Sequence, residues 1–247
     1  MSLNSLPVLE TALNHRSIRR FTEEPVSPEM LAAVLEAGRA SSTSSYLQNA
    51  SIIRVSDREI RRQIRAICAG EGGAGHAYVE HCAEFLVFCM DAARHKALAP
   101  EAQTDWAEVL LIGAVDAAIL AQSVVLAAES LGLGAVYIGS VRNDIAKLGA
   151  LLGTPEHVVP LFGLCLGHPD QDPLPRPRLP LDTLVSENRY QAAAPEVLEH
   201  YNEEVKTYYR ERSGKDLDWA QQVRNTLCRP VRPFMLDYLN RQGFIKR

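Results

Sequence analysis

Residues 104–139 read TDWAEVLLIGAVDAAILAQSVVLAAESLGLGAVYIG, and the order of elements in this stretch decides the fold class. Apolar residues recur nearly all round a helical period, so the spacing predicts one long helix over 104–131, buried on both sides in a core or a subunit interface. Gly132 ends it, and a β-branched and aromatic run, residues 135–138, follows as a strand. The glycines thus come after a helix and before a strand. A dinucleotide-binding fingerprint needs the opposite order, so GLGAVYIG is not one, and Gly132 or Gly134 reads as a helix cap. Gly139, past the strand, has no Cβ and lets backbone N–H groups approach a flat ligand.

Working outward, three further apolar runs are predicted strands: 51–55, 84–90 and 161–166. Helical spacing covers 6–14 and 57–65. It also covers 28–40, where Ser27 is the N-cap and Pro28 the first helical residue. Five prolines between Gly167 and Pro180 exclude helix and central strand there, and extended backbone is expected to follow. Helical patterns return over 196–212, 217–228 and 233–242. Helices outnumber strands without alternating with them, which predicts an α+β layering. The whole chain, 1–247, is expected to form a single domain with a helical excursion over about 195–247.

Composition narrows the function classes. Hydrophobic residues make up 47% and charged residues 23%, as in ordinary globular chains, and the net charge of −4 argues against an obligate nucleic-acid binder. The charge is uneven: residues 201–247 carry +4 and the remainder −8, which suggests a local anion site. Five cysteines without a C-x-x-C pair read as reduced thiols. The start of the chain lacks the pattern of a signal peptide, and the run 109–128 is interrupted by Asp116, with Gln122 and Ser123 in its longer charge-free piece. That piece falls short of the ~20 residues a membrane span needs. A cytoplasmic protein with no membrane or nucleic-acid partner is the expectation.

Four constellations could carry chemistry. His15-Arg16-Ser17-Ile18-Arg19-Arg20 suits a phosphate, because guanidinium forks bind its oxygens bidentately; taken alone it reads equally as a solvated basic turn. Arg176-Pro177-Arg178 is a second basic pair, whose side chains face opposite ways if the backbone is extended. The hydroxyl run 41–45 offers donors to a polar ligand or satisfies its own backbone, and Tyr46 beside it can stack on a ring or join a core. His76 and His81 lack the further Cys or His pair a zinc site wants, so no metal is expected. Asp116, inside the long helix, reads as a hydrogen-bonded core or interface group.

With these residues in view, HRSIRRFTEEPVSPE, the serine run with SYLQ, SIIRVSD, EFLVFC, GAVDAAILAQ, AAESLGLGAVYIG, LFGLCLGHPDQ, PRPRLP, ENRYQ and RPFMLDYL, in that order from Leu9 to the C-terminus, resemble the oxygen-insensitive NADPH nitroreductases of the major bacterial type and the NADPH-dependent flavin reductases. The resemblance implies an FMN-dependent nitroreductase-like α+β fold, a central mixed sheet flanked by helices, in an intertwined homodimer with FMN at the subunit interface. It implies FMN contacts from His15, Arg16, Ser17, Arg176 and Arg178, with Arg19 at the flavin N1/O2 edge. Thr43 would come from the other subunit, and the backbone of Tyr137, Ile138, Gly139 and Ser140 would face flavin N5. Ser45, Tyr46 and Arg232 would form the substrate rim, and Arg212 would read the 2′-phosphate of NADPH. The activity implied is ping-pong, two-electron reduction of nitroaromatics, quinones or free flavin, with no catalytic side chain beyond the cofactor. A flavin-binding sensor or carrier without turnover is the alternative. Two positions depart from the pattern: His76 stands where relatives commonly have a glutamine at the flavin, and Ser140 replaces a second glycine, which requires a negative φ.

Overall fold

The computed structural model describes residues 6–70 and 73–247. Contacts divide the chain into two compact units, Met1–Asp172 with Phe234–Arg247, and Pro173–Pro233. The sequence pattern had the helical excursion starting at about 195 and running to the C-terminus.

The first unit is built on a four-stranded sheet of order β1-β2-β4-β3, with β1 at Ala50–Arg54, β2 at Glu84–Asp91, β3 at Gly134–Ile138 and β4 at Val158–Gly167. All three strand pairings are antiparallel. The parallel component is an isolated bridge from Ser17 to Ala135 on the free edge of β3. The α+β class holds, and the sheet's mixed character rests on that bridge.

Every residue of β2 is buried. Because strand side chains alternate, Phe85, Val87 and Cys89 enter one core while Leu86 and Phe88 enter another. The first core is closed by α3 (Arg58–Ala69), α4 (Ala77–His81) and α7 (Ile145–Leu152), the second by α2 (Pro28–Arg39) and α6 (Ala107–Ser130). Helix α1 (Pro7–Leu13) precedes the basic segment, and α5 (Ala93–Leu98) follows β2. A third core joins Met90, Ile145 and Val159 to Tyr238, Leu239 and Phe244, from α11 (Met235–Arg241) and the chain end. The end is clamped: Arg247 forms a fork with Asp105 at 2.7 Å and lies 4.1 Å over the Trp106 ring.

Helix α6 carries out the long-helix expectation with its ends trimmed. Gly132, at φ +80, follows the capping residue Leu131, and Gly134 lies inside β3, so Gly132 is the glycine that ends the helix. By length and composition α6 could cross a membrane. Its faces differ, however: Ala117, Ala121, Val124 and Ala128 are buried, while Leu111, Val115 and Ile119, four residues apart, stay exposed.

The second unit holds α8 (Leu181–Leu184), α9 (Pro195–Ser213) and α10 (Trp219–Leu227). Extended backbone was expected after Pro180, and the turn of helix at Leu181 departs from that. Pro180 sits at the position before the helix with φ −53 and ψ 145, which starts a turn as readily as it blocks one.

Candidate functional site

The free edge of β3 is where the basic segment docks. Ile18 N–H donates to the Ala135 carbonyl at 2.9 Å, and Thr22 N–H and Asp170 N–H pair with the His168 and Arg20 carbonyls, so residues 17–22 run between β3 and the chain leaving β4. Gly134 makes the docking close. A Cβ there would lie 2.6 Å from Ile18 Cγ1 and 2.8 Å from Ile18 Cβ, a stiff β-branched side chain. Gly134→Ala is therefore expected to destabilise the protein by about 1–3 kcal/mol. A shift in the urea midpoint checks it; an unchanged midpoint would mean that the segment moves aside freely.

This docking sets the surroundings of three predicted residues, His15, Arg16 and Arg19. His15 Nδ1 lies 2.6 Å from Glu129 Oε1. Among the described residues, Arg16 reaches a long ion pair with exposed Asp172 at 3.5 Å, and its buried Nε has no acceptor. Arg19 N–H donates to Gln171 Oε1 at 3.3 Å, and its guanidinium donates to the Ser17 carbonyl at 3.4 Å. The Arg19 charge also faces the rings of His76 and Tyr78, which stack at 5.1 Å.

Past β3, the backbone turns through residues 139–144. A Cβ on Gly139 would meet only Arg142 Nη2, at 3.5 Å, so the backbone here is open to a neighbour. Ser140 avoids positive φ, as its replacement of glycine required. Its buried hydroxyl makes no hydrogen bond of good geometry, although the Cys68 thiol lies beside it. Two orphaned buried polar atoms, Arg16 Nε and Ser140 Oγ, thus belong to the segments docked on β3 and leaving it. Such groups are costly unless something binds them.

Burial first, and the Arg19 charge second, hold the His76 imidazole below its ordinary 6.5. The folded protein then binds fewer protons at this ring than the unfolded chain. The stability this contributes is present above about pH 6.5 and is lost as pH falls through the lower folded value. His76→Gln, which does not titrate, is expected to shrink the fall in Tm between about pH 7.5 and about pH 5.5. An equal fall in both proteins would refute it.

Thr43, Ser45 and Tyr46 lie elsewhere. Both Asp116 carboxylate oxygens accept from Ser44 N–H at 3.1 Å, Ser41 donates to Ser123, and Gln48 N–H donates to Thr43 Oγ1, so the hydroxyl loop sits on the middle of α6. Asp116 is the buried, hydrogen-bonded group its setting implied. Ser45, Tyr46 and Gln48 all have positive φ. Each such residue costs about 1–3 kcal/mol and persists where surroundings over-determine it, often at ligand sites. His15 meets α6 at Glu129, thirteen residues beyond Asp116, or about 20 Å along the axis. One chain does not bring Thr43 to the His15 end.

Arg176, Arg178, Arg212 and Arg232 belong to the second unit. Arg176 and Arg212 meet there over one ring, 6.0 and 5.8 Å from the centroid of Tyr208. Arg178 donates to the carbonyls of Arg176 and Pro177, and Arg232 sits at φ +48. The sequence reading had not singled out Tyr208, Glu129, Gln171 or Tyr78. Tyr208 was open to notice, four residues before Arg212 on one helical face.

Comparison with known families decides the identity. Residues 12–168 match the model of the nitroreductase family, and residues 176–247 match that of the nitroreductase family C-terminal domain. The chain belongs to the nitroreductase family. Within it, the chain is 46% identical to the NADPH-flavin oxidoreductase of Vibrio harveyi over 97% of this chain and 98% of that protein. It is 44% identical to the oxygen-insensitive NADPH nitroreductase of Salmonella typhimurium, covering 98% and 99%. The solved NADPH:FMN oxidoreductase from Vibrio harveyi, complexed with NAD+, superposes on this nitroreductase-family chain with a TM-score of 0.91, at 46% identity, covering 98% of this chain and 100% of that one.

Proposed function

We propose that this nitroreductase-family protein is an FMN-dependent NADPH oxidoreductase that reduces nitroaromatics, quinones or free flavin. The observation that carries the reading is the buried Arg16 Nε without an acceptor, in a basic segment docked beside an open turn. FMN fits these residues: it would bring an anionic phosphate to a guanidinium whose Nε has no acceptor, and a flat ring to a backbone unobstructed at Gly139. The names of the relatives, which join NADPH to flavin or nitro reduction, point the same way.

On this reading His15, Arg16 and Ser17 hold the phosphate, and Arg176 and Arg178 keep the phosphate role the resemblance implies. Bound FMN would supply two-electron hydride chemistry between NADPH and the second substrate, in a ping-pong sequence. Arg19 would place a fixed positive charge at the N1/O2 edge of bound FMN and so favour its reduction. His76 would stand where relatives commonly have a glutamine at the flavin. The backbone of Tyr137, Ile138, Gly139 and Ser140 lines the ring, so no catalytic side chain and no metal is invoked. Arg212 takes the 2′-phosphate of NADPH, and Ser45, Tyr46 and Arg232 form the rim.

Two features support a homodimer: the apolar stripe Leu111, Val115 and Ile119 stays exposed on α6, and the hydroxyl loop holding Thr43 meets α6 far from its own chain's His15. A partner subunit's loop would supply Thr43. We place the enzyme in the cytoplasm, where NADPH is available. The test is NADPH oxidation by FMN-reconstituted protein with nitrofurazone, menadione and free FMN. Turnover with at least one is expected. Failure with all three overturns the enzyme reading, and retained FMN that neither NADPH nor NADH can reduce would leave a flavin carrier or sensor.

A further inference from the structure

Glu129 is an odd residue for its place. It lies in the last turn of α6, where the helix dipole and unpaired carbonyls favour a cation, and no basic residue occupies that turn. Its carboxylate is nonetheless largely buried, with a side chain 12% exposed. What compensates it is His15 Nδ1 at 2.6 Å. The Arg16 backbone follows directly, and Glu10, Arg16, Glu129 and Asp172 line the adjoining cavity of about 360 Å³. Among the other groups facing the carboxylate is Tyr137, whose phenol is pushed up by burial first and by the Glu129 charge second. By charge alone, a carboxylate here repels any anion that the basic segment binds.

We propose that Glu129 is a positioning residue: by accepting from His15 Nδ1–H it fixes the imidazole's tautomer and orientation and commits Nε2 to the phosphoryl end of FMN. This rests on the FMN reading given above. The backbone of residues 15–16 has little other restraint, because His15 N–H makes only a 3.4 Å contact to Ala12 and the β3 bridge begins at Ser17. The side-chain bond is therefore what sets the ring. A second ring-nitrogen contact that fixes which nitrogen faces a ligand is the usual way a histidine is aimed.

The experiment compares FMN with riboflavin, which lacks the phosphate, by quenching of flavin fluorescence on titration with protein. Glu129→Ala is expected to weaken FMN about tenfold while riboflavin changes less than about twofold, as loss of one oriented hydrogen bond requires. Glu129→Gln keeps a carbonyl acceptor for Nδ1–H and is expected to stay within about threefold of the parent for FMN. In a His15→Ala background, Glu129→Ala should alter FMN by less than about twofold, because the coupled partner is gone. Riboflavin binding reports that the site is folded in each variant. Three results overturn the proposal: FMN bound as tightly or more tightly by Glu129→Ala, FMN and riboflavin weakened alike, or no rescue by glutamine. A parent protein that binds neither flavin overturns both this inference and the FMN reading; one that binds FMN without sensitivity to Glu129 overturns this inference alone.

Discussion

Replacing Arg61 by methionine is expected to lower the unfolding free energy by about 3 kcal/mol. Arg61 lies within α3 at 6% exposure. It donates through Nε to the Val55 carbonyl at 2.6 Å, through Nη1 to Cys82 at 2.6 Å and through Nη2 to Ala83 at 3.2 Å. One guanidinium thereby ties α3 to the end of β1 and the approach to β2. Methionine fills the space of the stem but donates nothing, and each carbonyl left dry costs about 1–3 kcal/mol. Relief of the buried charge's own desolvation offsets part of that total. Arg61→Lys should recover a fraction, since an ammonium lacks the planar fork that reaches three acceptors. Urea denaturation of the apo-protein measures the effect. A loss under about 1 kcal/mol would mean that water reaches the three carbonyls.

The second large effect concerns the cofactor. Arg16→Ala is expected to weaken FMN by more than about a hundredfold, from about 3 kcal/mol for a bidentate charged contact in a buried setting. Free of ligand, the Arg16 side chain is poorly satisfied, with Nε buried and unpaired and one ion pair at 3.5 Å to an exposed carboxylate. Removing it should cost the apo-fold little, so stability and affinity should move apart. Riboflavin affinity should change far less than FMN affinity. Equal losses for both flavins would place Arg16 in the scaffold instead of at a phosphate.

Much of this was legible in the sequence, and for identifiable reasons. Strand β2 announces itself because both its faces are buried and so carry apolar residues, and α6 because apolar residues recur on its buried and its exposed face alike. Helix α2 was bounded correctly because Ser27 and Pro28 give a start signal, and Ser27 Oγ does accept from Met30 N–H at 3.2 Å. Helix α7 escaped although Asp144 caps Lys147 and Gly153 ends it in the left-handed region. At eight residues it is too short for periodicity to stand out. The short α4 and α5 escaped for the same reason. The sheet order is set by pairings between strands far apart in the chain, which no local pattern encodes. In the site, the basic clusters were visible as composition, but their separation was not. That the hydroxyl loop, through Ser44, and His15 meet α6 thirteen residues apart required coordinates. Arg61 sits three residues before Ile64 and seven before Cys68, on α3's apolar face, so helical spacing alone could have marked it as buried.

The discontinuity of the first unit bears on how the polypeptide is made. Phe244, fully buried, packs with Met90, Ile145 and Val159, and residues 234–247 belong to the unit whose other members end at Asp172. A chain made from its N-terminus therefore exposes an unfinished hydrophobic seam until residues 234–247 have emerged. Until that segment arrives, the open seam is the kind of exposed apolar surface that favours aggregation.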